Sequence, residues 1–177
     1  VNKVTVPAND TTVFSVTLSA SPVSGSATQN LSTVADVDYE VNAGTYSVSE
    51  SVLAGWSETG NTCNDVVVAN GEAEECTITN TQNGHIIIQK NAVNDSDQIF
   101  TFTNNFGNDN LSEFTLVDDS TVGLPSYNAE VLPGKYSVSE GVVAGWQQES
   151  ATCDSGETVT DIDVAPGETV TCTFVNE

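Results

Sequence analysis

The strongest constraint on this chain is that it contains one stretch twice. Residues 44–56 read Gly-Thr-Tyr-Ser-Val-Ser-Glu-Ser-Val-Leu-Ala-Gly-Trp, and residues 134–146 read Gly-Lys-Tyr-Ser-Val-Ser-Glu-Gly-Val-Val-Ala-Gly-Trp. A duplication of this size in 177 residues indicates two domains, placed at 1–82 and 83–177, each small enough to bury only a modest core. In both copies Tyr and Val alternate with Thr or Lys and Ser, which predicts a half-buried strand. Parity then puts Glu50 on the face of Tyr46 and Val48, and Glu140 on the face of Tyr136 and Val138. Both carboxyls point inward, where a carboxyl needs a partner.

The flanking segments read as strands too. In the first copy they are Val1–Val6, Phe14–Leu18, Val37–Val41, Val66–Val68 and Cys76–Asn80, with a Ser/Pro/Gly-rich loop from Ala20 to Asn30. In the second they are Ile86–Lys90, Ile99–Phe102, Glu113–Leu116, Ile162–Val164 and Cys172–Asn176. Turn signals stand at Asn70-Gly71 and Pro166-Gly167, and residues 81–85, ending in the sole histidine, His85, form a polar link. No helical period occurs. The fold class expected is all-β, with two antiparallel β-sandwiches in tandem, about seven strands each.

The four cysteines fall two per copy, Cys63 and Cys76, then Cys153 and Cys172, with each first Cys seven residues after its Trp. One disulfide per domain and an extracytoplasmic location follow. With no CxxC and one His, no zinc site is expected. Asp36, Asp38 and Glu40, or Asp161 and Asp163, are possible calcium chelators, but their spacing matches no calcium loop, so no metal and no cofactor is assigned.

The net charge of -22, with three Lys plus Arg, excludes nucleic acid and anionic membrane surfaces as partners, since both require a basic patch. The acidity is spread along the chain and reads as a solvated surface, with adaptation to high salt as the alternative. There is no transmembrane run, and the first residue, Val1, suggests a mature product or a piece of a longer chain.

Parity also supplies partners for the glutamates. Ile86, Ile88 and Lys90 share a face, as do Cys172, Phe174 and Asn176; Val1 with Lys3, and Cys76 and Ile78 with Asn80, repeat the arrangement. Each copy therefore carries an inward Lys on its first strand, an inward Glu on a middle strand and an inward Asn on its last. The plain alternative is a snorkelling Lys, a turn Asn and an ordinary ion pair, but two copies with one parity argue against it.

The pattern Lys... Gly-x-Tyr-x-Val-x-Glu-x-x-x-x-Gly-Trp... Thr-x-x-Asn resembles the prealbumin-like, CnaB/SpaA-type domains of bacterial and archaeal surface proteins and pilins, over residues 1–80 and 86–176. The resemblance implies an intramolecular isopeptide bond in each copy. It assigns Lys3 and Asn80 to the first bond and Lys90 and Asn176 to the second, with Glu50 and Glu140 shuttling protons during self-cross-linking. It further implies a non-enzymatic, load-bearing subunit or stalk module of an extracellular filament, pilus or other cell-surface assembly. The partners expected are further copies or neighbouring surface-protein domains. An adhesin module for carbohydrate or host protein is the alternative reading, with Trp56 and Trp146 as stacking platforms, although their identical placement favours packing. Asn9, Asn30, Asn94 and Asn110 head Asn-x-Ser/Thr sequons and are glycosylation candidates.

Overall fold

The computed structural model describes residues 1–93, 97–107, 110–117 and 125–177. Among them there is no helix, and the chain separates into two compact units, Val1–Gln82 and Asn83–Glu177.

The first unit contains β1 (Asn2–Val6), β2 (Phe14–Leu18), β3 (Thr28–Leu31), β4 (Gly44–Tyr46), β5 (Val48–Glu50), β6 (Trp56–Asn61), β7 (Val66–Val68) and β8 (Thr77–Gln82). One sheet has the order β1-β8-β6 and the other β3-β2-β5, with β4 and β7 as a separate pair. The second unit contains β9 (Gly84–Ala92), β10 (Ile99–Asn104), β11 (Glu113–Val117), β12 (Ser126–Val131), β13 (Gly134–Tyr136), β14 (Val138–Glu140), β15 (Gln148–Cys153), β16 (Ile162–Val164) and β17 (Thr169–Asn176). Its sheets are β12-β9-β17-β15, β11-β10-β14 and β13-β16. The all-β sandwich expected from strand alternation is present in both units. Most pairs are antiparallel, but the first and last strands of each unit, β1 with β8 and β9 with β17, run parallel.

Burial follows the alternation. Gly84, Ile86, Ile88, Lys90 and Ala92 of β9 are buried and the residues between them are half-exposed; β17 does the same with Val170, Cys172, Phe174 and Asn176. The second core adds an aromatic group, with Phe102 stacked on Phe114 at 5.2 Å and meeting Phe174 edge-on at 5.1 Å. The first core is smaller and aliphatic, built on Val16, Leu18, Leu31, Val48 and Ile78.

Several local expectations are corrected. The repeated Tyr-Val-Glu segment is not one strand: it breaks at Ser47 and Ser137, so that β4 pairs with β7 while β5 pairs with β2, and likewise in the second unit. The break has its own hydrogen bonds, since Ser47 N–H donates to Ser19 Oγ at 3.0 Å and Ser137 N–H to Asn105 Oδ1 at 2.7 Å. Residues 28–30, read as the end of a loop, belong to β3, whereas 37–41, read as a strand, join no ladder. The strands β6 and β15 carry too few apolar residues to announce themselves, whereas β12 alternates Tyr127, Ala129 and Val131 with polar residues and was overlooked. The link is shorter than expected, because 81–82 belong to β8 and His85 lies within β9.

The repeated motif has a clear mechanical basis. Tyr46 Oη donates to the Asn42 carbonyl at 2.9 Å and Tyr136 Oη to the Leu132 carbonyl at 2.6 Å, so the ring folds back over the Gly two residues earlier. A Cβ on Gly44 would stand 3.2 Å from that ring. In the Ala-Gly-Trp turn, Trp N–H donates back to Leu53 or Val143 at 3.0 and 3.1 Å, with Gly55 and Gly145 at φ of +78° and +86°, a region open to glycine.

Candidate cross-linking site

Each unit brings its Lys, Glu and Asn together across the sandwich. Lys3 pairs in register with Ile78, two positions before Asn80 on the neighbouring parallel strand; Lys90 pairs with Phe174, two before Asn176. The lysine stem spans this diagonal along the inner face. Glu50 stands opposite Val16 and Glu140 opposite Phe102, in the facing sheet, and each reaches across the core. The side chains of Lys3 and Lys90 are 0% exposed, those of Glu50 and Glu140 3% and 2%.

In the first unit the Lys3 amine donates to Asn80 Oδ1 at 2.5 Å and to Glu50 Oε2, while Asn80 Nδ2 donates to Glu50 Oε1 at 2.5 Å. One carboxylate thus holds the amine with one oxygen and the amide nitrogen with the other. In the second unit Lys90 Nζ lies 2.9 Å from Asn176 Oδ1 and also donates to the Asn91 carbonyl at 2.9 Å. Glu140 Oε1 is 3.6 Å from that amine and, among the described residues, accepts no hydrogen bond.

Burial pushes the Lys3 amine below its ordinary pKa, against the pull of the Glu50 hydrogen bond and charge. Burial pushes the Glu140 carboxyl above its ordinary value, against the pull of Asn176 and Lys90. A carboxyl with a raised folded pKa contributes stability fully below its unfolded pKa and loses it as pH rises through the folded one. An uncross-linked second unit, Asn176→Ala, is therefore expected to lose stability as pH climbs above the ordinary carboxyl value of 4.5. The urea midpoint from pH 4 to 8 checks this, with the same variant carrying Glu140→Gln as the reference in which that slope disappears.

Sequence reading missed the aromatic cover. Lys3 Nζ sits 3.8 Å from the Phe14 ring centroid and Lys90 Nζ 4.2 Å from Phe100. Trp56 meets Phe14 edge-on at 5.4 Å and Trp146 meets Phe100 at 5.5 Å. The motif Trp is therefore the outer layer of a Trp-Phe-Lys stack that keeps water from the amine. The available signal was the matching position of Phe14 and Phe100 at the head of the second strand in each copy.

Two disulfides close nearby, Cys63–Cys76 with Cα atoms 5.0 Å apart and Cys153–Cys172 at 3.9 Å. Among the described residues no group of three His, Cys, Asp or Glu could hold a metal ion. Asp161 and Asp163 instead flank Lys135, at 2.9 and 3.8 Å. Of the sequon residues, Asn9 and Asn30 are exposed, Asn110 commits its Nδ2 to the Glu130 carbonyl at 2.8 Å, and Asn94 lies outside the described residues.

Family models described as "Prealbumin-like fold domain" match residues 1–88 and 86–177. The chain belongs to the prealbumin-like fold family. Among solved structures, the chain is similar to the major pilin of Streptococcus pyogenes, at 15% identity and TM-score 0.36, covering 99% of this chain and 95% of the pilin. The Bacillus anthracis TIE protein matches at 18% identity and TM-score 0.37, with 99% of this chain and 32% of that protein covered. The pilus adhesin SpaC of Lactobacillus rhamnosus GG matches at 15% and 0.36, over 99% of this chain and 30% of the adhesin. This prealbumin-like pair thus spans about a third of the last two, and none of the three likenesses is close enough to carry function. No curated protein matches the chain.

The lysines differ sharply in exposure, which sets up a labelling experiment. Lys135 has a side chain 63% exposed, against 0% for Lys3 and Lys90. An amine-acylating reagent is expected to modify Lys135 and the α-amine of the folded chain and to spare the other two. If both cross-links exist, Lys3 and Lys90 stay unmodified in denaturant as well; burial alone would leave them reactive there.

Proposed function

We propose that the two domains, 1–82 and 83–177, are self-cross-linking, load-bearing modules of an extracellular filament, pilus or comparable cell-surface assembly. The observation that carries this is the recurrence of one Lys-Glu-Asn trio, in the same register, joining the first and last strands of both units. In the reaction, the neutral lysine Nζ attacks Cγ of the asparagine, forming Nζ–Cγ while Cγ–Nδ2 breaks. Glu50 or Glu140 takes the proton released by the amine and passes it to Nδ2, which leaves as ammonia, so the carboxyl ends as it began. The fixed approach of amine to carboxamide in a dry core supplies much of the remaining acceleration. Each site reacts once, so the role is maturation rather than enzymatic turnover.

The mechanical consequence follows from the parallel pairing. Tension entering at β1 and leaving at β8 shears neighbouring strands, and a Lys3–Asn80 bond would carry it directly, leaving residues 4–79 outside the force path. The same holds for Lys90 and Asn176. The disulfides add closed loops inside each shielded region. Partners on this reading are further copies or neighbouring surface-protein domains, and glycans, where the source adds them, go to sequon asparagines among Asn9, Asn30, Asn94 and Asn110, of which Asn9 and Asn30 are exposed. Single-molecule pulling from both ends tests the role. Neither unit should extend before the tether fails, whereas two unfolding steps, each releasing most of a unit, would contradict it.

A further inference from the structure

Each disulfide is joined to the segment that carries the reacting asparagine, at the same distance from it. Cys76 and Asn80, like Cys172 and Asn176, are buried four residues apart, with Ile78 or Phe174 between them on the same inner face. The outer face of that segment repeats one residue, with Thr77, Thr79 and Thr81 in β8 and Thr169, Thr171 and Thr173 in β17. A slip of one residue would turn the asparagine outward and is opposed by the whole apolar pattern. A slip of two keeps the alternation, yet carries the asparagine about 6.6 Å along the strand. That is well beyond the ~3–3.5 Å at which reacting atoms must be held.

The antiparallel ladder on the other side of the asparagine strand is interrupted where it matters. In the first unit a bulge falls between Glu58 and Gly60, opposite Asn80 and Thr79; in the second it falls between Gln148 and Ser150, opposite Asn176 and Val175. A bulge leaves one residue outside the register and breaks the ladder locally. The disulfide lies beyond the bulge in both units: Cys153 pairs directly with Cys172, and Thr77 N–H donates to Thr62 Oγ1 at 2.8 Å beside Cys63–Cys76. Its geometry admits one register. In the first unit the anchor reaches further. Cys63 N–H donates to Asn61 Oδ1 at 2.8 Å, and the Cys63 carbonyl accepts from Val48 N–H at 2.8 Å, on β5, the strand that ends in Glu50. The Cys63–Cys76 bond thereby ties the asparagine strand to the glutamate strand of the facing sheet.

Given the cross-linking reaction proposed for the trios, on which this inference rests, we propose that the disulfides set the register for it. Cys63 and Cys76, and Cys153 and Cys172, are positioning residues: they hold Asn80 and Asn176 within reach of Lys3 and Lys90 by excluding the two-residue slip. Their contribution is to the rate of cross-linking, through the fraction of time the strand spends in the competent register.

The test compares two variants of the 177-residue chain. The first carries Cys63→Val and Cys76→Val, which open the register and keep the core filled. The second adds Thr59→Cys and Thr81→Cys, at hydroxyls that lie 2.9 Å apart, so that a disulfide there pins the same register without the native one. Both are refolded with oxidised glutathione as the electron acceptor, and peptide mapping over time assigns each ammonia loss to its unit. Amide exchange at Val16 and Leu18 of β2, in the facing sheet, reports whether the first unit is folded. The valine pair is expected to slow Lys3–Asn80 formation about tenfold, as for a competent register held about a tenth of the time, with β2 still protected. The relocated disulfide should restore the wild-type rate, and Lys90–Asn176 in the same chains should form at its usual rate. An unchanged rate with the valine pair overturns the inference, as does a closed 59–81 disulfide that leaves the rate low. Loss of β2 protection together with the rate also overturns it, because the native disulfide would then be a general staple. Ammonia lost from neither unit, in these chains and in the wild type, would instead overturn the cross-linking reaction itself, and this inference with it.

Discussion

Asn80→Ala and Asn176→Ala are each expected to lower the Tm of their own unit by on the order of 20 °C. The residues joined are 77 and 86 positions apart. By the loop-closure relation, tying chains of that length removes unfolded-state entropy worth about 4.5 kcal/mol. For a domain of this size each kcal/mol corresponds to about 4–8 °C. The asparagine is the right position to change, because the Lys-Glu pair stays intact. Removing the lysine would strand a buried carboxylate and add about 3–5 kcal/mol that has nothing to do with the cross-link. Calorimetry of the two single variants, with the disulfides intact, reads the effect. A shift of only about 5 °C would mean that the wild-type asparagine contributes packing and hydrogen bonds but no covalent link.

Glu50→Gln and Glu140→Gln are expected to slow cross-linking of their own unit by about 10²–10⁴-fold, the usual contribution of a positioned proton-transfer group. Gln has nearly the same shape, so the substitution isolates the proton chemistry from packing. Glu50 touches both reacting partners, one through each oxygen, and Gln can neither take the proton from Lys3 nor return one to Asn80. The second site is looser, with 3.6 Å between Lys90 and Glu140, so it must tighten before reacting. Tryptic peptides sampled over time after refolding follow the reaction. Unchanged rates in both variants would remove Glu50 and Glu140 from the chemistry and leave them as ion-pair partners.

The trios were legible in the sequence because a charged residue at an apolar parity position is costly and had to be explained twice. Lys3 and Lys90, Glu50 and Glu140, and Asn80 and Asn176 were each identified by alternation alone, and alternation survives even where the strand is cut, as at Ser47 and Ser137. Phe14 and Phe100 were not recognised as the cover of the lysines, because a phenylalanine at the head of an alternating strand looks like any core residue. The segment 37–41 was read as a strand on a sound pattern. In the structure only its first residue, Val37, exchanges backbone hydrogen bonds with Val1, and the segment joins no ladder. Local pattern reports what a segment is suited to, while pairing depends on what lies beside it.

The covalent bond is the central claim, and the intact mass of the native chain, after disulfide reduction and removal of any glycan, tests it most directly. The account predicts a deficit of two ammonia masses against the sequence, one for Lys3–Asn80 and one for Lys90–Asn176. A mass equal to the sequence would contradict it, leaving two buried ion pairs and the disulfides as all that holds the strand ends together.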